Sequence, residues 1–224
     1  MPADTLPEWE RLLSSAARLQ EILPSAVMVG GSAAAFHVRH RFSRDADHVL
    51  SDLTRRFDEI LAELESVAGW TTARVRRPVM ILGSLDGIET GVRQLMRARP
   101  LDTVRLQHQG RPLTVPTMAE ILRIKGVLIL KRNATRDYLD FVALADAMGT
   151  DDIVEAVRDF DELYPQPNGQ SALQQLQIQL AKPLPYDLEG LKLDEYKDLI
   201  PRWREWSAVE MAAAQVADLI LDHL

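Results

Sequence analysis

The periodicity of this chain changes once, near Thr117, and that switch restricts the fold more than any other feature. Before it, apolar residues at helical spacing (Trp9, Leu12, Leu13, Ala16, Leu19, Leu23; then Leu53, Phe57, Ile60, Leu61, Leu64) alternate with short strand-like runs. The runs are 26–29, 45–50, 70–75, 78–83, 87–95, 102–108 and 111–115, the last five separated by Pro78, Gly83, Gly87, Pro100 and Gly110 and reading as a meander. After it, every segment has helical period: 117–131, 135–148, 151–162, 169–181 and a final run from about 195, kinked near Pro201. Strands followed by uninterrupted helices predict an α+β class: a mixed sheet with helices over 1–115, joined to an all-α helical bundle over 116–224. The connector Tyr164–Gly169 and the segment Lys182–Pro185 are read as loops.

Composition excludes several classes. With 46% apolar and 26% charged residues, the chain is neither fibrous nor disordered. No apolar run approaches the length of a membrane span, and the start MPADTLPEWERLL is acidic and amphipathic rather than basic then apolar, so neither an anchor nor a secretory signal is expected. Without cysteine there are no disulfides, thiolate metal sites or Cys nucleophiles, and a cytoplasmic location is expected.

The net charge of −7 conceals a division by sign. Residues 1–136 carry 20 Lys/Arg against 15 Asp/Glu, whereas 137–224 carry 6 against 18. Arginines cluster at Arg74, Arg76 and Arg77 and at Arg93, Arg97 and Arg99, and a guanidinium binds phosphate in two-pronged fashion. A phosphate-bearing partner fits that pattern; solvated faces that balance nearby acids fit it too.

The chemistry concentrates in Val29-Gly30-Gly31-Ser32, where a strand gives way to a helix expected over 33–40, followed by Asp45 and Asp47. Glycines between a strand and a helix let a ligand approach the backbone, where the unpaired N–H groups of the helix start favour an anion. Two aspartates two apart on a strand share a face, and two carboxylates in one small volume call for a divalent cation shared with substrate phosphates. The competing structural reading is a tight turn beside an exposed acidic strand edge. Farther on, Thr117 and Glu120 make a capping-box signature that starts a helix at Met118. Lys125 interrupts the apolar stripe Met118, Ile121, Leu122, Leu128, Ile129, so its ammonium must meet carboxylate, phosphate or water, or else snorkel. Thr135 is expected to cap the next helix, placing Asp137 in the first turn, where the dipole favours it whatever its function; Asp140 is expected to hold Arg132 or Arg136. His37, His40 and His48 could be drawn together as a zinc site, but surface or core roles suit them better. Trp203, Trp206, Val209, Ala213, Val216 and Ile220 read as bundle core.

The pattern Val29-Gly30-Gly31-Ser32, then His40-Arg41-x-Ser43-x-Asp45-x-Asp47, with Lys125 and Arg136-Asp137-Tyr138-Leu139-Asp140 downstream, resembles the AbiEii-type nucleotidyltransferase toxins of the DNA polymerase β nucleotidyltransferase superfamily. The resemblance brackets Val29 to Asp140; the C-terminal 80 residues match only in being helical. It implies a metal-dependent transferase that moves a nucleoside monophosphate from an NTP to a hydroxyl of RNA (tRNA above all) or protein, as the toxin of a toxin–antitoxin pair with a separately encoded antitoxin. Gly30, Gly31 and Ser32 would contact the nucleotide phosphates, with Arg41, Ser43, Arg132 and Arg136 as further nucleotide contacts. Asp45 and Asp47 would hold Mg2+ (or Mn2+), and Lys125 and Asp137 would complete the catalytic set. His48 stands where the family has an apolar residue, and the third carboxylate falls to Glu89 or Asp86. Two readings compete: a nucleotide- or RNA-binding module that has lost its chemistry, and a kinase-like phosphotransferase.

Overall fold

A computed structural model describes residues 6–167 and 169–223. The first five residues, part of the segment read as acidic and amphipathic, and Asn168 of the expected 164–169 loop lie outside the described residues.

Contacts divide the chain into two units: residues up to Ala33 together with Ser43–Thr117, and Ala34–Phe42 together with the chain from Met118 onward. The first contains α1 (Leu6–Ile22), β1 (Val27–Met28), the first turn of α2 (Gly30–Val38), β2 (Ala46–Leu50), α3 (Phe57–Glu65), β3 (Trp70–Arg76), β4 (Met80–Leu85), β5 (Ile88–Gln94), β6 (Thr103–His108) and β7 (Arg111–Pro116). Five strands form a mixed sheet in the order β1-β2-β5-β4-β3, parallel only between β2 and β5. The expected meander is thus split: β3-β4-β5 is a meander, whereas β6 and β7 form a separate hairpin. Gln20 of α1 joins that hairpin by exchanging side-chain hydrogen bonds with the Thr114 N–H and carbonyl, at 2.6 and 2.9 Å.

One sheet face is the core. Leu50, Ile81, Leu85 and Val92 pack there with Leu19 and Leu23 and with Leu53, Phe57, Ile60 and Leu64. Each buried aliphatic chain contributes roughly 1.5–3 kcal/mol. The helix expected over 52–68 is shorter, because residues 51–56 are taken up by a turn in which the Arg56 N–H donates to the Asp52 carbonyl.

The second unit contains the rest of α2 and α4 (Met118–Arg132), α5 (Thr135–Asp146), α6 (Thr150–Val157), α7 (Phe160–Leu163), α8 (Ala172–Ala181) and α9 (Trp206–His223). Residues 34–42, assigned from sequence to the sheet lobe, pack with these helices. The single helix expected over 151–162 is broken between α6 and α7. The final run begins as two 3-10 turns, Leu193–Glu195 and Pro201–Trp203, and becomes α-helix only at Trp206; Pro201, without an N–H, occupies the first position of its turn. Gly126 brings α4 close to its neighbours: a Cβ there would lie 2.9 Å from Leu176 Cδ2 and 3.2 Å from the Phe160 ring.

Candidate nucleotide and metal site

In the first unit the chain leaves β1 and enters α2 with no loop between, since the helix starts at Gly30 itself rather than after Ser32. Gly30 has φ of +78°, a region that suits glycine, while a Cβ would lie a comfortable 3.7 Å from Asp47 Cβ. Conformation rather than crowding therefore selects glycine here. The Val29 N–H donates to the Asp47 carbonyl at 2.8 Å, and the buried Ser32 hydroxyl donates to the Asp45 carbonyl. These bonds tie the glycine corner to Asp47 of β2 and to Asp45 just before it. The Ser43 hydroxyl then donates to Asp45 Oδ1 at 2.9 Å, restricting that carboxylate.

Along β2, Ala46, His48 and Leu50 are buried while Asp47 and Val49 are half-buried, as is Asp45 just before the strand. The two aspartates therefore occupy the face opposite the core, as strand alternation requires. The parallel register sets Asp47 opposite Gly91 of β5, and Arg93 Nε stands 3.8 Å from Asp47 Oδ1. Thr90, one residue earlier, points the other way and donates to the Ala46 carbonyl at 2.6 Å.

Hard carboxylate oxygens beside helix-start N–H groups suit Mg2+, which commonly takes one or two carboxylates and completes its shell with water and substrate phosphates. Among the described residues, no group of three or more His, Asp or Glu side chains is arranged to hold a metal ion. Glu89 shares the strand face of Gly91 and Arg93 but is exposed. Asp86 turns the β4–β5 hairpin and is engaged by Arg18 of α1.

His48 is wholly buried, neither ring nitrogen finding a geometrically sound hydrogen bond, and burial, partly offset by the Ala46 backbone, pushes its imidazole down to about 4. It is neutral at pH 7 and packs as part of the interior.

The second unit holds a buried ionic network. Asp140 of α5 receives Arg41 Nε at 2.7 Å and Arg41 Nη2 at 2.9 Å, His40 Nε2 at 2.7 Å and Lys125 Nζ at 2.6 Å. Asp137, one turn earlier, receives Lys125 Nζ at 3.2 Å and Arg132 Nε at 2.7 Å. Burial alone would raise the Asp140 carboxyl; Arg41, Lys125 and the His40 hydrogen bond outweigh it and hold the group well below the usual carboxylate range. Burial lowers the His40 imidazole, opposed by its bond to Asp140. The lysine that interrupts the α4 stripe is thus neutralised by two carboxylates. Asp140, expected to hold Arg132 or Arg136, instead holds Arg41: Arg132 turns to Asp137, and Arg136 is exposed.

The cap of α5 is also different from the expected one. Thr135 lies inside the helix, and Asp187 Oδ1 accepts both its N–H at 2.8 Å and its hydroxyl at 2.7 Å. Asp187 sits 52 residues away, and no local pattern announces it.

No family model matches the chain. Among curated proteins it is similar to parts of mycobacterial MmpL11 proteins. It is 38% identical over 95 residues to the heme uptake protein MmpL11 of Mycobacterium tuberculosis, covering 41% of this chain and 10% of that protein. It is 26% identical over 218 residues to the mycolic acid-containing lipids exporter MmpL11 of Mycolicibacterium smegmatis, covering 95% of this chain and 21% of that protein. The chain therefore spans only a tenth to a fifth of the length of these relatives. In three dimensions it superposes on a candidate nucleotidyltransferase from H. pylori with TM-score 0.53, at 14% identity, over 99% of this chain and 96% of that one. The chain has a nucleotidyltransferase fold. A second neighbour, ANT(2'')-Ia in complex with adenylyl-2''-tobramycin, superposes with TM-score 0.50 at 13% identity, covering 68% of this chain and 97% of that one. Among the described residues no helix is long and apolar enough to cross a membrane.

Two parts of this arrangement were not visible in the motifs. Arg93 appeared only as one of a basic cluster, because the parallel β2–β5 pairing that sets it beside Asp47 has no local signal. The link from His40 and Arg41 to Asp140 joins residues about a hundred positions apart.

Proposed function

We propose that this protein is a Mg2+-dependent nucleotidyltransferase of the AbiEii type, which joins a nucleoside monophosphate from an NTP to a hydroxyl of an RNA acceptor, tRNA foremost, and acts as the toxin of a toxin–antitoxin pair. The observation that carries the reading is the placement of Asp47 of β2 and Asp45 just before it on one face, bonded through their backbone to the glycine corner that opens α2.

In that reading Asp45 and Asp47 hold the divalent ion, and Ser43 fixes the orientation of Asp45. The N–H groups of Gly31 and Ser32 face the triphosphate at the positive end of α2. When bound, Mg2+ supplies a lowered pKa for the acceptor hydroxyl and neutralises charge growing on the phosphate and leaving group. Lys125 and Asp137 are assigned to the catalytic set by the family pattern, and Arg132 and Arg136, exposed at the start of the same motif, to the phosphates. The attacking oxygen bonds to the α-phosphorus, the α–β bridge breaks, and pyrophosphate leaves with the electron pair.

The test is transfer of label from α-labelled NTPs to total tRNA in Mg2+. Wild type is expected to label RNA and Asp45→Asn to lose at least a hundredfold; equal labelling by both proteins would refute the site. Label arriving from the γ-position would instead mark a kinase-like phosphotransferase. The second reading is a nucleotide- or RNA-binding module without chemistry. The lack of a third metal-binding carboxylate among the described residues favours it, as does the match to a segment of much longer transport proteins. It predicts binding of nucleotide without label transfer.

A further inference from the structure

The sheet register carries information about the face on which Asp45 and Asp47 stand. Cross-strand partners share a face, and the row that contains Asp47 runs through Gly91 of β5 and Leu82 of β4 to Arg74 of β3. The adjacent row runs from Val49 through Arg93 and Met80 to Arg76. Side-chain contacts agree with this: Arg93 Nε lies 3.8 Å from Asp47 Oδ1, and Arg93 Nη1 lies 2.8 Å from Met80 Sδ. A Cβ added at Gly91 would meet Leu82 Cδ2 at 2.7 Å, so the Leu82 side chain covers the place where Gly91 has none. On the opposite face Trp70 and Thr72 lie toward α3, with Thr72 bonded to Glu65. The outer face therefore holds, in sequence across the sheet, the carboxylates of Asp45, Asp47 and the exposed Glu89, one arginine, the half-buried Leu82 beside the buried Met80, and two arginines on the edge strand.

Arg74 and Arg76 are exposed, and among the described residues neither has a hydrogen-bond or ion-pair partner. Their neighbour Arg77 differs, being paired with Asp58 and stacked 5.0 Å from the Phe57 ring centroid on the core side. Two unpaired guanidinium groups on one face of an edge strand are not needed for folding. Charged side chains do protect a sheet edge from pairing, but that role needs no common face and no alignment with the site. With neighbouring strands about 4.8 Å apart, Arg74 stands three strand spacings, about 14 Å, from Asp47 in the same row.

We propose that the outer sheet face is the acceptor track of this enzyme: an RNA strand crosses β5, β4 and β3, its backbone phosphates held by Arg93, Arg76 and Arg74 and a base or sugar resting on Leu82, which brings its terminal hydroxyl to Asp45 and Asp47. The proposal rests on the nucleotidyltransferase reading above and assigns the residues that position its acceptor. Charge complementarity selects a polyanion, and the apolar step between cations suits a strand with exposed bases better than a uniformly acidic peptide.

The experiment measures RNA binding separately from chemistry. Fluorescein-labelled single-stranded RNA and total tRNA are titrated into the full chain over a range of salt concentrations, using wild type, R74E/R76E, the milder R74Q/R76Q and R105E as an equal charge change on exposed β6. Binding by R74E/R76E is expected to weaken by at least about tenfold, R74Q/R76Q following in the same direction, and the slope of log affinity against log salt to fall by about 1.4 for two lost single-strand phosphate contacts. R105E is expected to bind as wild type. RNA binding and salt slope unchanged in both double variants would overturn the track, even if wild type transfers label to RNA. Loss confined to the double variants, with no label transfer by wild type, would uphold the track and count against the enzymatic reading. A polyglutamate peptide that binds as tightly as RNA and depends on Arg74 and Arg76 in the same way would reassign the strip to an acidic protein and overturn the proposal.

Discussion

Arg41 and Asp140, 99 residues apart, meet in a two-pronged guanidinium–carboxylate bond at 2.7 and 2.9 Å, both side chains almost wholly out of solvent. Arg41 lies two residues before Ser43, whose hydroxyl orients Asp45. The segment that carries Arg41 is therefore anchored to α5, through a carboxylate that also receives Lys125 and His40.

Removing that carboxylate takes from Arg41 the two-pronged bond to Asp140 and leaves Lys125 with the Asp137 carboxylate. Asp140→Ala is expected to destabilise the fold by about 3–5 kcal/mol, the usual cost of breaking a buried ion pair from one side. Urea denaturation followed by circular dichroism measures it, and a loss below about 1 kcal/mol would contradict the network's structural weight.

Acid should act on stability through His48. Its folded value of about 4 lies below the ordinary 6.5, so the unfolded chain takes up the proton first and stability is lost as pH falls from about 6.5 toward 4. The difference corresponds to about 3 kcal/mol. Asp140 acts in the same direction at lower pH, because a carboxyl held below its ordinary value stabilises above that value and loses its contribution as it protonates. In His48→Leu the stability decline between pH 6.5 and 4 should be shallower than in wild type; parallel declines would rule out His48 as the source.

Gly30 is a test of conformation alone. Because a Cβ there has room, Gly30→Ala is expected to cost about 1–2 kcal/mol, the penalty of an L-residue in the left-handed region, with no added crowding term. A thermal-melt series including Gly126→Ala, where crowding by Leu176 and Phe160 does apply, separates the two causes.

Metal binding can be read without turnover. Mg2+ together with an NTP is expected to raise the melting temperature of wild type, by linkage to the folded state, and to leave Asp45→Asn and Asp47→Asn unmoved. Both aspartates are half-buried, so the variants should match wild type within about 1 kcal/mol when metal is absent. An equal metal-dependent shift in all three proteins would move the site elsewhere.

Helix α5 offers a check on long-range capping. Asp187→Ala should cost about 1 kcal/mol by leaving the Thr135 N–H and hydroxyl without their acceptor, and Asp187→Asn should restore part of it.

The alternation Asp45-Ala46-Asp47-His48-Val49-Leu50 was enough to put both aspartates on one face, and the apolar periods of α1, α4 and α9 identified those helices, because such patterns depend only on neighbours along the chain. The glycine corner was legible for the same reason, though the helix begins a turn earlier than its residues suggested. The separation of the β6–β7 hairpin from the sheet was not legible, since which strands pair is decided by contacts between segments distant in the chain.

What the order of residues determined by itself was the kind of element at most positions and the pairing of two carboxylates with a glycine corner. Tertiary structure alone decided which distant groups complete them: Gly91 and Arg93 beside Asp47 through a parallel register, Asp140 beneath Arg41, and Asp187 at the start of α5. Those partners are selected by the burial of charge and the closing of hydrogen bonds across dozens of residues, interactions whose energy exists only once the chain has folded.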